Sequence, residues 1–263
     1  GIRGASARAD ANFVTAFCRR NGVELFLYDA EKEGVPIPPQ PSEEWARELR
    51  YTWFDQLASR EEALIATAHT CSDQAETLLF RMARGTGLHG LAGIPPCRGI
   101  YRRPCLCLTR ADTEAYCAAL GQNYVQDETN ADDLYARNRI RHTVVPALQS
   151  VNPAAEQAIA RLCRQMRALD DWLTAEAAAL LQAAAVPGGY EVETLCRARG
   201  PVLDAALHAL ISPVRDAEEK YVNLLRFLVL QREGALQLTP EVTYKIKNGV
   251  LLRLTPQGIK TPP

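Results

Sequence analysis

The 263-residue chain reads as an α/β protein with a parallel sheet, followed by a mostly helical region that carries a small β hairpin. Three observations predict this. A short apolar run, 63–68, leads through a polar turn into an amphipathic helical pattern, the strand-to-helix order from which parallel sheets are built. Upstream, a helical pattern over 6–20 gives way to a β-rich run at 23–28. Beyond Asn152 the composition shifts to Ala-rich, Arg-studded helical stretches, and these end in alternating segments around Asn248-Gly249, a pair that takes up the positive φ of a two-residue hairpin. The expected domains are 1–148, 149–234 and 235–263.

Taken in order, 6–20 forms a helix with Ala9, Phe13, Ala16 and Phe17 inward, stopped by Gly22. The run 23–28 is a strand, and a proline-rich loop over 34–41 follows. Ser42 caps the next helix, with Glu43 and Glu44 in its first turn, where the dipole favours acids. The run 63–68 has the length of a buried strand, and Thr70, Cys71, Ser72 and Asp73 can each serve the free N–H groups of the helix that follows. In that helix Ala75, Leu78, Leu79 and Met82 share a face, and Gly85 and Gly87 close it. A further strand is expected over 101–106, with Pro104 near its edge. Thr109 caps a helix to Leu120, Asp112 completes a capping box, and Gly121 stops the helix before a short strand at 123–126. A long helix then spans 154–185 and breaks at Pro187-Gly188-Gly189. Two more lie within 194–231, separated near Ser212-Pro213, before strands at 236–238, 242–246 and 251–254 and a loose tail.

Chemistry concentrates in two places. His69 falls at the carboxyl end of a strand, where open α/β sheets bind ligands. Asp73 and Glu76, three apart, place both carboxylates on one side of the first helical turns. Acids in a first turn are also stabilised by the helix dipole alone, so that reading stays open. Downstream, Asp127 and Asn130 are turn-formers, and Arg137 and Arg141 lie four apart on one helix face, suited to phosphate or a developing negative charge.

The net charge of −1 conceals local asymmetry: every charged residue from Arg98 to Arg110 is basic, and Arg137, Arg139, Arg141 and His142 form a second cluster. Such patches can serve a nucleic-acid partner without a basic chain overall. The eight cysteines are scattered singly apart from Cys105-x-Cys107, with no zinc-finger spacing, which predicts reduced thiols, no metal and a cytoplasmic setting. No apolar run approaches the ~20 residues of a membrane span, and no signal peptide precedes Gly1, so no membrane partner is expected.

The segment 68–77, Ala-His-Thr-Cys-Ser-Asp-Gln-Ala-Glu-Thr, followed by Arg84-Gly85-Thr86-Gly87-Leu88 and Gly90-Leu91-Ala92-Gly93-Ile94-Pro95, resembles the tRNA(Ile)-lysidine synthetase family of N-type ATP pyrophosphatases. Thr70 stands where that family has a second His, and Ser72 where it has a first Asp. The segment 127–142, with Arg137-Asn138 and Ile140-Arg141-His142, is similar to the family's second signature. Glu44, Ala46, Arg47 and Tyr51 resemble a third, with one residue fewer before Ala46, and 101–106 resembles its Arg-Pro-Leu segment.

The resemblance implies an adenine nucleotide alpha hydrolase-like fold, incomplete at its N-terminus. The family's phosphate loop, Ser-Gly-Gly-x-Asp-Ser, lies upstream of the helix at 6–20 and is not found in these 263 residues; the expectation is a chain cropped from a longer one, with a relic unable to bind ATP as the other possibility. It further implies ATP and Mg2+ as cofactors, and L-lysine and tRNA(Ile) with a CAU anticodon as partners; a homodimer is a possible assembly, and the sequence leaves the oligomeric state open. Asp73 and Glu76 would hold lysine together with Arg47. Arg137 would stabilise charge and His69 would sit near the nucleotide. Arg103, Asn138, Arg139 and Arg141 would meet the tRNA. Two rival readings are another tRNA-directed ATP pyrophosphatase, such as a thiolase, and a non-catalytic tRNA-binding remnant.

Overall fold

The computed structural model describes residues 5–125, 136–214 and 219–259. The chain divides into two compact units, Gly1–Arg164 and Gln165–Pro263.

In the first unit, α1 (Ala5–Asn21) ends at Gly22, as the pattern predicts. Its inner face is not the predicted one: Cys18 is buried, whereas Phe17 is exposed with the Arg20 guanidinium over its ring. The expected strand 23–28 joins no ladder among the described residues, and Val23 and Leu27 stand exposed. β-propensity marks a chain that fits a sheet, but ladder partners make the strand. Ser42 caps α2 (Glu43–Arg60) by accepting the Trp45 N–H.

The run 63–68 contributes only β1 (Ile65–Ala66), which pairs in parallel with β3 (Tyr101–Arg102); β2 (Cys97–Arg98) adds antiparallel on β3's other side. The strand expected over 101–106 is thus cut to two residues. Pro104 has no N–H for a ladder, and it opens a 3₁₀ turn (Pro104–Cys107) instead.

From β1 the chain enters α3 (Cys71–Ala83), which packs against α4 (Leu88–Leu91), the 3₁₀ turn, α6 (Ala136–Arg139) and a π-helical turn (Ile140–Val144). Its buried face is Cys71, Ser72, Gln74, Ala75, Glu76 and Leu78, while Met82, predicted inward, is exposed. Thr109 and Asp112 form the predicted capping box on α5 (Arg110–Ala119). Residues 123–125 form no ladder among the described residues, with Tyr124 and Val125 exposed; Gln126, Asp127 and Asn130 lie outside the described residues. α7 (Val145–Val151) continues from the π turn, whose signature is the Val145 N–H bonded five residues back to Ile140. Pro146 lacks an N–H to continue the ladder, so a widened turn just before it costs little.

The predicted long helix is α8 (Ala155–Ala184), 30 residues that carry the unit boundary within them. In the second unit a hairpin missed in the sequence, β4 (Ala185–Val186) with β5 (Gly189–Glu191), leads into short α9 (Val192–Cys196), then α10 (Gly200–Ile211) and α11 (Glu219–Gln231). β6 (Ala235–Thr239), β7 (Val242–Lys247) and β8 (Val250–Thr255) follow, with Asn248 at φ 52° and Gly249 at φ 75° in the β7–β8 turn, the geometry that Asn-Gly favours. The tail expected to be loose adds β9 (Gly258–Ile259) to β8. The sheet order is β4-β5-β8-β7-β6, antiparallel throughout. Helices and sheet share one core, including Leu195, Leu207, Ile211, Leu225, Val229, Tyr244 and Leu251, and the Tyr244 hydroxyl donates to the Leu210 carbonyl at 2.9 Å. Among the described residues, no helix is long and apolar enough to cross a membrane.

Candidate active site

Residues of chemical interest in the first unit gather where β1 and β3 end and α3 begins. Thr70 is the N-cap of α3. Its hydroxyl oxygen accepts the Asp73 N–H at 3.3 Å, and Asp73 Oδ2 accepts both the Thr70 N–H and the Thr70 hydroxyl at 2.8 Å. Thr109 and Asp112 repeat this box on α5. The two helix starts are tied together: the Cys71 N–H donates to the Leu108 carbonyl at 2.7 Å, and the Arg110 N–H donates to Ser72 Oγ at 3.0 Å. Thr70 and Ser72, the two departures from the pattern this segment resembles, therefore act as a helix cap and as a clamp between helices.

Asp73 keeps Oδ1 free of hydrogen bonds among the described residues, because its cap contacts all fall on Oδ2. Glu76, one turn on, does not stand beside it as a second open carboxylate. It is buried, and Arg141 donates to both of its oxygens, Nε to Oε1 at 2.6 Å and Nη2 to Oε2 at 3.0 Å. Arg137 Nε stands 3.5 Å from Oε2 and Arg110 Nη2 stands 3.9 Å from Oε1, while Arg137 Nη2 also donates to Thr77 Oγ1 at 3.1 Å. The Arg141 guanidinium is held above its ordinary pKa, chiefly by its hydrogen bonds to Glu76. The expected pairing of Arg137 and Arg141 on one side is real, and it is delivered through the π turn that carries Arg141, a helix irregularity frequent at functional sites.

His69 is half-buried, with Nδ1 2.8 Å from Thr67 Oγ1. Burial holds its pKa below the ordinary 6.5; the charges of Arg103, Arg137 and Arg47 push the same way, and only Asp73 opposes them. The lowered pKa favours the neutral imidazole, which can exchange hydrogen bonds without adding charge. The same influences show that His69, Asp73, Arg47, Arg103 and Arg137 share one electrostatic neighbourhood. Arg47 is exposed on α2 with its guanidinium 4.8 Å over the Tyr51 ring.

Of the four residues expected to meet tRNA, only Arg139 is exposed. Arg103 is buried, Nη1 donating to the Pro95 carbonyl at 2.6 Å and its main-chain N–H to the Pro96 carbonyl at 2.9 Å, while its Nε has no partner among the described residues. Asn138 is buried, and Arg141 spends its fork on Glu76. Residues missed in the sequence are Arg110, which completes the cluster around Glu76, and Gln74, whose side-chain amide pins the main chain of Ile94. Arg110 had one signal, its place in the basic stretch that starts at Arg98. Among the described residues no group of three or more His, Cys, Asp or Glu is placed to hold a metal ion.

Residues 1–148 match the family described as the PP-loop domain. The chain belongs to the PP-loop family. This PP-loop chain is similar to the tRNA(Ile)-lysidine synthase of Parabacteroides distasonis, 43% identical over 171 residues that cover 64% of this chain and 39% of that protein. It is 38% identical to that of Bacteroides thetaiotaomicron over 160 residues, 60% of this chain and 38% of the relative. With that of Thermosipho africanus it shares 36% over 178 residues, 66% of this chain and 41% of the relative. The match thus spans about two fifths of each relative's length.

Proposed function

We propose that this PP-loop chain is the part of a tRNA(Ile)-lysidine synthase that holds the lysine and the reacting groups. The reaction joins lysine to C2 of the wobble cytidine of tRNA(Ile) with a CAU anticodon at the expense of ATP. The C2 oxygen attacks the α-phosphorus of ATP, forming an oxygen–phosphorus bond and expelling pyrophosphate. The lysine ε-amine then bonds to C2, the C2–oxygen bond breaks, and AMP leaves with that oxygen while the amine gives up a proton. Adenylation is needed because the cytidine oxygen is otherwise a poor leaving group.

The observation that carries this reading is Asp73, a carboxylate with one oxygen fixed in a helix cap and the other without a hydrogen bond among the described residues, set in the same neighbourhood as His69 and the arginines. A preorganised carboxylate attracts an ammonium without reorganising to do so. Asp73 holds the lysine amine, and Arg137 draws the negative charge that develops on phosphate. His69 lies by the nucleotide, and Arg47 joins Asp73 in holding the lysine from α2. Arg139 is the direct contact to tRNA phosphate, a kind of contact that positions the substrate without reading sequence. The similarity to lysidine synthases supports the assignment, and the PP-loop match over 1–148 contains these residues. ATP use follows from the PP-loop family; Mg2+ enters with ATP as its counterion and takes no step assigned to this chain.

The test is incubation of the full-length protein with ATP, radiolabelled lysine and tRNA(Ile) transcripts. Label carried into tRNA bearing CAU, matched by AMP release, is the expected result. Transfer of label to transcripts irrespective of the wobble base, or tight tRNA binding with no nucleotide turnover, overturns it, the second outcome marking a binding protein.

A further inference from the structure

Glu76 is among the largest fully buried side chains of the described residues, and it is an acid. Only 2% of it is exposed, and three guanidiniums face it: Arg141 through both oxygens, Arg137 at 3.5 Å and Arg110 at 3.9 Å. Asp73 adds a second negative charge that acts on Arg141. Arg137 and Arg110 turn outward, keeping 47% and 39% of their side chains exposed, whereas Arg141 keeps 19%. Two of the four partners come from α3 and the start of α5, two from the segment 136–144. A two-oxygen grip by a guanidinium fork fixes both planes, so Arg141 is set by Glu76 and sets it in turn.

This arrangement repels an ammonium and attracts a phosphate. A lysine amine approaching Glu76 meets three like charges first, and in a partly buried site those repulsions are weakly screened. An anion reaching the exposed sides of Arg137 and Arg110 meets cations already aimed and partly desolvated.

We propose that Glu76 is a positioning residue: it holds Arg141, and with it Arg137 and Arg110, as a preformed cationic fan for the phosphoryl charge of the adenylation step, and it makes no contact with the lysine amine. This rests on the reaction assigned under Proposed function, and it divides the two acids of α3 between the two half-reactions. Asp73 serves the amine, and Glu76 serves the phosphate through arginine.

The experiment measures, in the full-length protein, tRNA-dependent exchange of radiolabelled pyrophosphate into ATP without lysine, and kcat and KM for lysine in the complete reaction. The variants are Glu76→Gln, Arg141→Ala and the double substitution. Glu76→Gln keeps the size and one acceptor oxygen, and circular dichroism against the parent checks that the variant is folded. The expected result is a fall of about tenfold or more in exchange and in kcat together, the scale for losing preorganised donors. Lysine KM stays within about twofold, and the double variant is no more than about threefold worse than Arg141→Ala, because the two residues act as one unit. Intact exchange with a lysine KM raised about tenfold overturns the proposal and makes Glu76 an amine ligand. A separate readout needs no turnover: the Arg141 Nε–H resonance exchanges slowly with solvent in the parent and rapidly in Glu76→Gln. Fast exchange in the parent also overturns the proposal. If the parent makes AMP without attaching lysine to tRNA, the assigned reaction fails, and the exchange measurement alone decides the positioning role.

Discussion

Gln74 is the residue on which the loop after α3 depends. It is buried, its Oε1 accepts the Ile94 N–H at 2.6 Å, and its Nε2 donates to the Ile94 carbonyl at 3.4 Å. Its neighbour Gly93 sits at φ 64°, and a Cβ there would fall 2.8 Å from Gln74 Oε1 and 2.9 Å from Cys163 Sγ. The side-chain amide thus replaces a β-ladder partner for a stretch of main chain that has none. Replacing Gln74 with Met keeps the volume, so cavity formation contributes little. It orphans a buried N–H, at about 1–3 kcal/mol, while the longer carbonyl bond adds little. The sum is about 2 kcal/mol, which for a urea m-value of about 2 kcal/mol/M moves the midpoint by about 1 M. Equilibrium unfolding should follow Trp45 and Trp53 fluorescence in a Trp172→Phe background, because Trp172 belongs to the second unit. A loss below about 0.5 kcal/mol at unchanged m would refute the reasoning, since it would mean that the Ile94 main chain finds other partners at no cost.

Two further outcomes follow from the same geometry. Asp112 is held below its ordinary pKa of 3.8 by hydrogen bonds from the Thr109 hydroxyl and then its N–H. Its contribution is therefore fully present above pH 3.8 and is lost as pH falls through the folded-state value, so Asp112→Asn should flatten that part of the acid limb in urea titrations read at successive pH values; an unchanged limb would contradict the cap assignment. Burial pushes the Cys71 thiol up to about 11, whereas Cys97 and Cys107 are exposed. Peptide mass spectrometry after native alkylation should find Cys97 and Cys107 modified and Cys71 protected. Early labelling of Cys71 would mean that the start of α3 opens.

Much of this was legible in the sequence wherever the determinant is local. Ser42 and Thr109 announce the helices they cap, and Asn248-Gly249 announces its hairpin, because each signal and its effect lie within four residues. Residues 23–28 and 123–125 joined no ladder among the described residues for the opposite reason: a strand exists only with a partner, which propensity does not name, whereas 101–106 found partners for Tyr101 and Arg102 and stopped at Pro104. Met82 lies within the helical period but at the end of α3, beyond the buried face set by residues 71–78. The candidate site was half legible. His69, Asp73, Glu76, Arg137 and Arg141 were picked out by spacing and resemblance, and the structure brings them together. That Arg141 closes on Glu76 across 65 positions could not be read from either segment alone, and neither could the burial of Arg103 and Asn138.

The central claim is that Asp73 presents its free oxygen to the lysine amine. The most direct measurement is KM for lysine in the full-length Asp73→Asn variant. Asn keeps an acceptor for the Thr70 N–H, so the cap and the fold persist. Loss of a hydrogen bond to a charged group is about 1.5–3 kcal/mol, which predicts a KM raised about tenfold to a hundredfold. A lysine KM within about twofold of the parent would contradict the account and move the amine to another residue.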